Sequence, residues 1–114
     1  MPSRKYSKKD NNHDALVGAL SKMVPVLDTY QYGGKLMDGL ARINGGGWHF
    51  FDVKNPDTAY GRKGLNDSQR KHALKLGSPV YLLYTMDDVI NFASGKFDAL
   101  KRFPDDKVSA ADLT

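Results

Sequence analysis

Apolar positions along the chain recur at two different spacings, and each change of spacing marks an element. In "NNHDALVGALSKM" (11–23), Leu16, Leu20 and Met23 fall on one helical face, with Asn11 or Asn12 placed to cap the start. "VPVLDTY" (24–30) predicts a short strand, its Pro25 near the beginning where a missing N–H is tolerated. After the turn "QYGGK", the segments "LMDGLARI" (36–43) and "WHFFDVK" (48–54) predict two strands joined through "NGGG", a hairpin signal. "NPDTAYGRKG" (55–64) reads as a polar loop with two glycines, with little of its own to make it rigid.

A second helix is predicted over "NDSQRKHALKL" (66–76), where Asn66 caps, Gln69 takes the third helical position of a capping box and Gly77 ends it. "PVYLLYT" (79–85) is almost continuously apolar, the mark of a strand covered on both faces. "TMDDVINFASG" (85–95) carries its own start, Thr85 with Asp88, and its own stop, Gly95. Phe97, Leu100 and Phe103 fit a short helix before Pro104. The order α-β-β-β-α-β-α predicts an α/β fold in which a mixed sheet with a hairpin meander is flanked by helices. One domain over 11–95 is expected, preceded by a basic, flexible arm (1–10) and followed by an extension (96–114) without a decisive pattern.

Charge adds a partner to that outline. The net charge is +4, and residues 1–9 hold all of it in Arg4, Lys5, Lys8 and Lys9. Within 60–77, Arg62, Lys63, Arg70, Lys71 and Lys75 face one acid, Asp67, whereas 10–59 and 78–95 are each net −2. Two basic patches around an acidic middle suit a polyanion held over a cation site; solvated surface charge explains the same counts. All 13 acids are aspartate, so any carboxylate chemistry comes from Asp. There is no cysteine, which excludes disulfides and thiolate metal sites and fits a reducing interior. No apolar run approaches the roughly 20 residues of a membrane helix. The basic amino terminus leads into no signal-peptide core, so a soluble, intracellular protein is expected.

Chemistry concentrates in "WHFFDVKNP", whose Trp48 is expected in the core and not as a stacking platform. Residues i and i+2 of a strand share a face, so Asp52 and Lys54 point together and Val53 points away. Composition alone produces about one Asp-x-Lys tripeptide in such a chain, and a second, Asp105-Asp106-Lys107, lies in a tail with no strand pattern. The first has a companion across the hairpin. If Asp38 pairs with residue 52 or 54, two carboxylates lie on one face with Cβ atoms roughly 5–8 Å apart. A slip of one residue would send Asp38 to the other face, so an odd-length connection or a bulge among the glycines is required. Two carboxylates and a backbone carbonyl suit Mg²⁺ or Mn²⁺. The plainer alternative is a surface ion pair of little consequence.

"MDGLA" (37–41), "FDVKNP" (51–56), "LNDSQ" (65–69) and "SPVYLLYTMDDV" (78–89) together resemble the PD-(D/E)XK nuclease superfamily, in particular its virus-type replication-repair (VRR-Nuc) group, often phage-encoded. The likeness spans roughly 9–93. Asp38 matches the acid of the first motif, with Met37 in place of the usual proline and Lys35 in place of the glycine. Asp52-Val53-Lys54 matches the second motif. Leu65 and Gln69 match the third, with Asn66 for threonine. The first helix of the family carries Asn followed by Glu or Gln; here Asn12 is followed by His13, then Asp14, and either or neither takes that part.

The resemblance implies a restriction-endonuclease-like αβββαβ core and metal-dependent hydrolysis of DNA phosphodiesters, often at branches or junctions, in the manner of Holliday-junction resolvases. On that reading Asp38, Asp52 and the Val53 carbonyl hold Mg²⁺ or Mn²⁺. Lys54, protonated beside two anions, orients a water and stabilises the transition state, and Gln69 holds the water or a phosphate oxygen. Arg62, Lys63, Arg70 and Lys71 contact the DNA backbone, with Lys5, Lys8 and Lys9 adding salt-sensitive affinity. Cutting both strands of a junction calls for two sites, hence a homodimer. The setting is the cytoplasm, that of the host cell where a phage encodes the protein. The alternative is a catalytically inactive DNA-binding module that keeps the nuclease fold.

Overall fold

The computed structural model describes residues 13–29 and 37–104. The chain forms α1 (His13–Met23), β1 (Val26–Asp28), β2 (Gly39–Arg42), β3 (Trp48–Val53), α2 (Ala59–Arg62), α3 (Asp67–Leu76), β4 (Val80–Leu83), α4 (Met86–Ala93), a 3-10 turn (Phe97–Ala99) and β5 (Lys101–Phe103). The arm with Lys5, Lys8 and Lys9 and the expected caps Asn11 and Asn12 lie outside the described residues.

The five strands form one mixed sheet in chain order. β1, β2 and β3 run as an antiparallel meander, β4 is parallel to β3, and β5 is antiparallel to β4. One face carries the larger core: Phe51, Val53, Tyr81 and Leu83 meet Leu16 and Leu20 of α1 and Val89 and Phe92 of α4. On the other face, Val80 and Leu82 meet Met37, Leu65 and Ala73. β4 is buried at all four positions because it has helices on both sides.

The capping signals translate into geometry. Asn66 accepts from the Gln69 amide while the Gln69 side chain accepts from the Asn66 amide, and Thr85 and Asp88 do the same for α4. Gly77 closes α3 in the left-handed conformation, φ 71°.

Four expectations need correction. Residues 97–103 form a 3-10 turn and an edge strand, not a helix, because Lys101 and Phe103 gain backbone partners on β4 at Leu82 and Val80. The loop 55–64 contains a helix, α2, whose cap Thr58 accepts from the Gly61 amide at 2.9 Å. Met23 is 48% exposed and lies off the buried face of α1. Trp48, expected in the core, is 50% exposed at the hairpin end of β3.

Candidate active site

The site is built where β2 begins and β3 ends. β2 and β3 pair Gly39 with Phe51 through to Arg42 with Trp48, leaving a five-residue connection, 43–47. Ile43 and Gly47 close the hairpin, and the Arg42 guanidinium donates to the carbonyls of Gly45 and Gly46, each at 3.0 Å. With that odd count, the register continued one step past Gly39 sets Asp38 opposite Asp52. Gly39 keeps β1 close beside them, since a Cβ there would stand 2.4 Å from the Leu27 carbonyl oxygen.

Asp38 and Asp52 clasp one another through the backbone. The Asp38 amide donates to Asp52 Oδ1 at 2.9 Å, and the Val53 amide donates to Asp38 Oδ2 at 2.8 Å. The N–H and C=O of one strand residue point to the same neighbour, so the Val53 carbonyl also lies on the Asp38 side. Lys54, just past β3, is anchored by its amide to the Leu83 carbonyl at 3.0 Å. Its ammonium reaches back to Asp52 Oδ2 at 3.0 Å and donates to Gln69 Oε1 at 3.2 Å. Gln69 completes the ring, its Nε2 donating to Asp52 Oδ1 at 3.2 Å while Oε1 also accepts the Asn66 amide. Asp52 is 1% exposed, Gln69 4% and Lys54 6%. The acid and the amine thus form a buried pair with a shared amide partner, far from a surface ion pair.

α1 supplies the remaining wall. His13 is buried, its Nε2 3.5 Å from Asp38 Oδ1 and its Nδ1 3.4 Å from Asp14 Oδ1. Asp14 itself is turned to solvent, its side chain 82% exposed. Of the two helix-1 candidates, His13 faces the carboxylates.

Burial, and secondarily the charge of Asp38, pushes the Asp52 carboxyl from 3.8 up to about 7, against the opposing pull of Lys54 and the hydrogen bonds it accepts. A carboxyl driven that way gains from a cation. Among the described residues no three His, Cys, Asp or Glu side chains group closely enough to bind a metal. The two carboxylates with the Val53 carbonyl are an all-oxygen set that suits a hard divalent ion retaining several waters.

The four backbone-binding candidates divide. Arg62, Lys63 and Arg70 line a cleft of about 370 Å³ on the α3 face of the sheet; Lys71 is exposed but is not part of its lining. Lys101 and Tyr84 also line it. Sequence reading missed both: β5 is too short for its alternation to be read, and Tyr84 ends a run expected to be covered on both faces. Tyr60, half out in solvent, places its ring 5.8 Å from the Lys54 ammonium. His72 Nδ1 sits 2.8 Å from the Ser68 carbonyl oxygen within α3, and His49 packs near the Phe97 and Tyr81 rings, its pKa lowered by burial.

Comparison with protein-family models, with curated proteins and with solved structures finds no match for this chain. Among the described residues no helix is long and apolar enough to cross a membrane.

Proposed function

We propose that this chain is a Mg²⁺- or Mn²⁺-dependent DNA endonuclease with a PD-(D/E)XK-type core, selective for branched or junction DNA and acting as a homodimer. One observation carries the reading: Asp38, Asp52, Lys54 and Gln69, drawn from three separate segments, share one buried hydrogen-bonded network at the carboxyl end of β3. Ligands commonly bind beyond the carboxyl ends of parallel strands, and β3 and β4 are the parallel pair.

Phosphodiester hydrolysis needs an attacking water, neutralisation of the pentacovalent phosphate and assistance to the leaving alkoxide. A divalent ion, when bound, supplies Lewis-acid charge at the phosphate and a hydroxide source near neutral pH. Asp38, Asp52 and the Val53 carbonyl would hold it. The Lys54 ammonium, fixed between Asp52 and Gln69, would turn an N–H to a nonbridging phosphate oxygen, stabilising the charge that builds there. Gln69 keeps that ammonium in place and lends its amide to Asp52. Arg62 and Lys63 meet the DNA backbone, contributing affinity without sequence preference.

A specific feature favours a second reading, the inactive DNA-binding module: both Asp52 oxygens already accept from protein donors. Incubation with flap, splayed-arm, four-way and linear DNA plus Mn²⁺ separates the two. Metal-dependent cuts that vanish in Asp52→Ala and in Lys54→Ala support the enzyme. DNA retention that survives both substitutions, with no cuts in the wild type, supports the module. Native mass measurement tests the dimer.

A further inference from the structure

The cleft beside the carboxylate network has a composition that the cleavage chemistry does not use. Five cationic residues line it, Arg62, Lys63, Arg70, Lys101 and Arg102, and among the described residues no carboxylate does. Its inner surface is apolar, with Leu65 and Leu82 buried beneath the charges. The volume, about 370 Å³, falls in the range of small-molecule sites, enough for one nucleotide and too little for a stacked pair.

Three of these cations, Lys101, Arg70 and Arg62, are held by interactions of their own. The Lys101 ammonium lies over the Tyr84 ring, 5.5 Å from its centroid, and the Arg70 guanidinium over Phe103 at 5.6 Å. Arg70 also donates to the Leu65 and Lys63 carbonyls, and Arg62 to the Pro56 carbonyl at 3.1 Å. Arg102, by contrast, carries its guanidinium over Tyr81, whose ring is in the larger core on the opposite face, and donates to the Phe97 carbonyl at 2.7 Å. Its head group therefore belongs to that other face.

The cleft is joined to the carboxylate network by a shared wall. α2 carries Arg62 on the cleft side and Tyr60 beside the Lys54 ammonium. The Tyr84 hydroxyl donates to the Gly61 carbonyl at 3.0 Å, and the residue before it, Leu83, accepts from the Lys54 amide. Gly61 is required there, because a Cβ would meet the Asn55 carbonyl oxygen at 2.0 Å. A DNA strand bound at the carboxylate network would have to cross α2 to enter the cleft.

We propose that this cleft is a subsite for one unpaired DNA nucleotide next to the scissile phosphate, its phosphate held by Lys63 and Lys101 and its base lying on the apolar floor. The proposal rests on the nuclease reading for its register to a scissile bond, although binding in the cleft does not require cleavage. A base in the cleft has left its partner, so the subsite favours DNA that is already unpaired there, where no base pair has to be broken.

The test is fluorescence anisotropy with chelator present, comparing blunt duplex with the same duplex bearing a single-stranded arm, for the wild type, Lys101→Gln and Lys101→Glu. The wild type binds the armed duplex at least tenfold tighter. Lys101→Gln reduces that ratio several-fold and flattens the salt dependence of armed-duplex binding by about one phosphate contact, and Lys101→Glu abolishes the preference. Unchanged preference in both variants, or equal weakening on both DNAs, overturns the subsite. An RNA arm bound tighter than the DNA arm overturns the assignment to DNA. Metal-dependent cutting by the wild type is scored separately. Cutting with an unchanged ratio sinks the subsite alone, and a Lys101-dependent ratio without cutting sinks the nuclease reading alone.

Discussion

Replacing Asp52 by asparagine tests the electrostatics of the network without any substrate. Asp52 is 1% exposed, and burial with the nearby Asp38 charge raises its carboxyl from 3.8 to about 7. A folded-state value above the unfolded one means that the native chain holds the proton more tightly. Its stabilising contribution is therefore complete below about pH 4 and is lost as pH climbs toward 7. Each unit of pH in that window is worth about 1.4 kcal/mol for one group. Between about pH 5 and pH 7, the wild type should lose on the order of 3 kcal/mol relative to Asp52→Asn, whose amide does not titrate. The variant keeps a neutral group beside the Lys54 ammonium at every pH, which sets a constant offset between the two proteins, so the slope of the difference carries the test and the offset does not. Urea unfolding, followed in chelator by the fluorescence of Trp48, the sole tryptophan, measures it at intervals of pH. Titrations remote from the network cancel between the two proteins. A flat difference curve, or one in which the wild type gains on the variant, would refute the reasoning. Mn²⁺ added above pH 7 should stabilise the wild type and leave the variant unmoved.

Gln69→Ala removes the acceptor shared by Lys54 and the Asn66 amide together with a donor to Asp52; about 1–3 kcal/mol of stability and a roughly 10²–10³-fold fall in cleavage rate are expected, by denaturation and a single-turnover assay. Gly61→Ala forces α2 away from Asn55 and should lower stability by about 1–3 kcal/mol and weaken DNA binding in anisotropy. Phe92→Ala opens a void among Phe51, Tyr81 and Phe97 in the larger core, with an expected loss of about 3–5 kcal/mol in the same unfolding experiment.

The elements with complete local signals were legible from the chain. Asn66 with Gln69 and Thr85 with Asp88 satisfy helix starts by contacts three residues apart, so they can be read without tertiary structure. The apolar run of β4 is similarly self-declaring. Asp38 and Asp52 could be brought together on paper only conditionally, since their meeting depends on the length of one connection. What escaped reading was set by distant partners. β5 exists because β4 offers an open edge, α2 is tied down by Tyr84, twenty-three residues from Gly61, and the exposure of Trp48 goes with its place at the hairpin end of β3. The Lys54–Gln69 bond is of the same kind, joining the end of a strand to the start of a helix.

That last bond has a thermal consequence. Gln69 belongs at once to the opening turn of α3 and to the network around Asp52, so the helix cannot fray at that end without taking from the ammonium one of its partners. Helix ends open with far smaller free energies than whole domains. Heating should therefore disarm the site by melting one turn, several degrees before the sheet gives way.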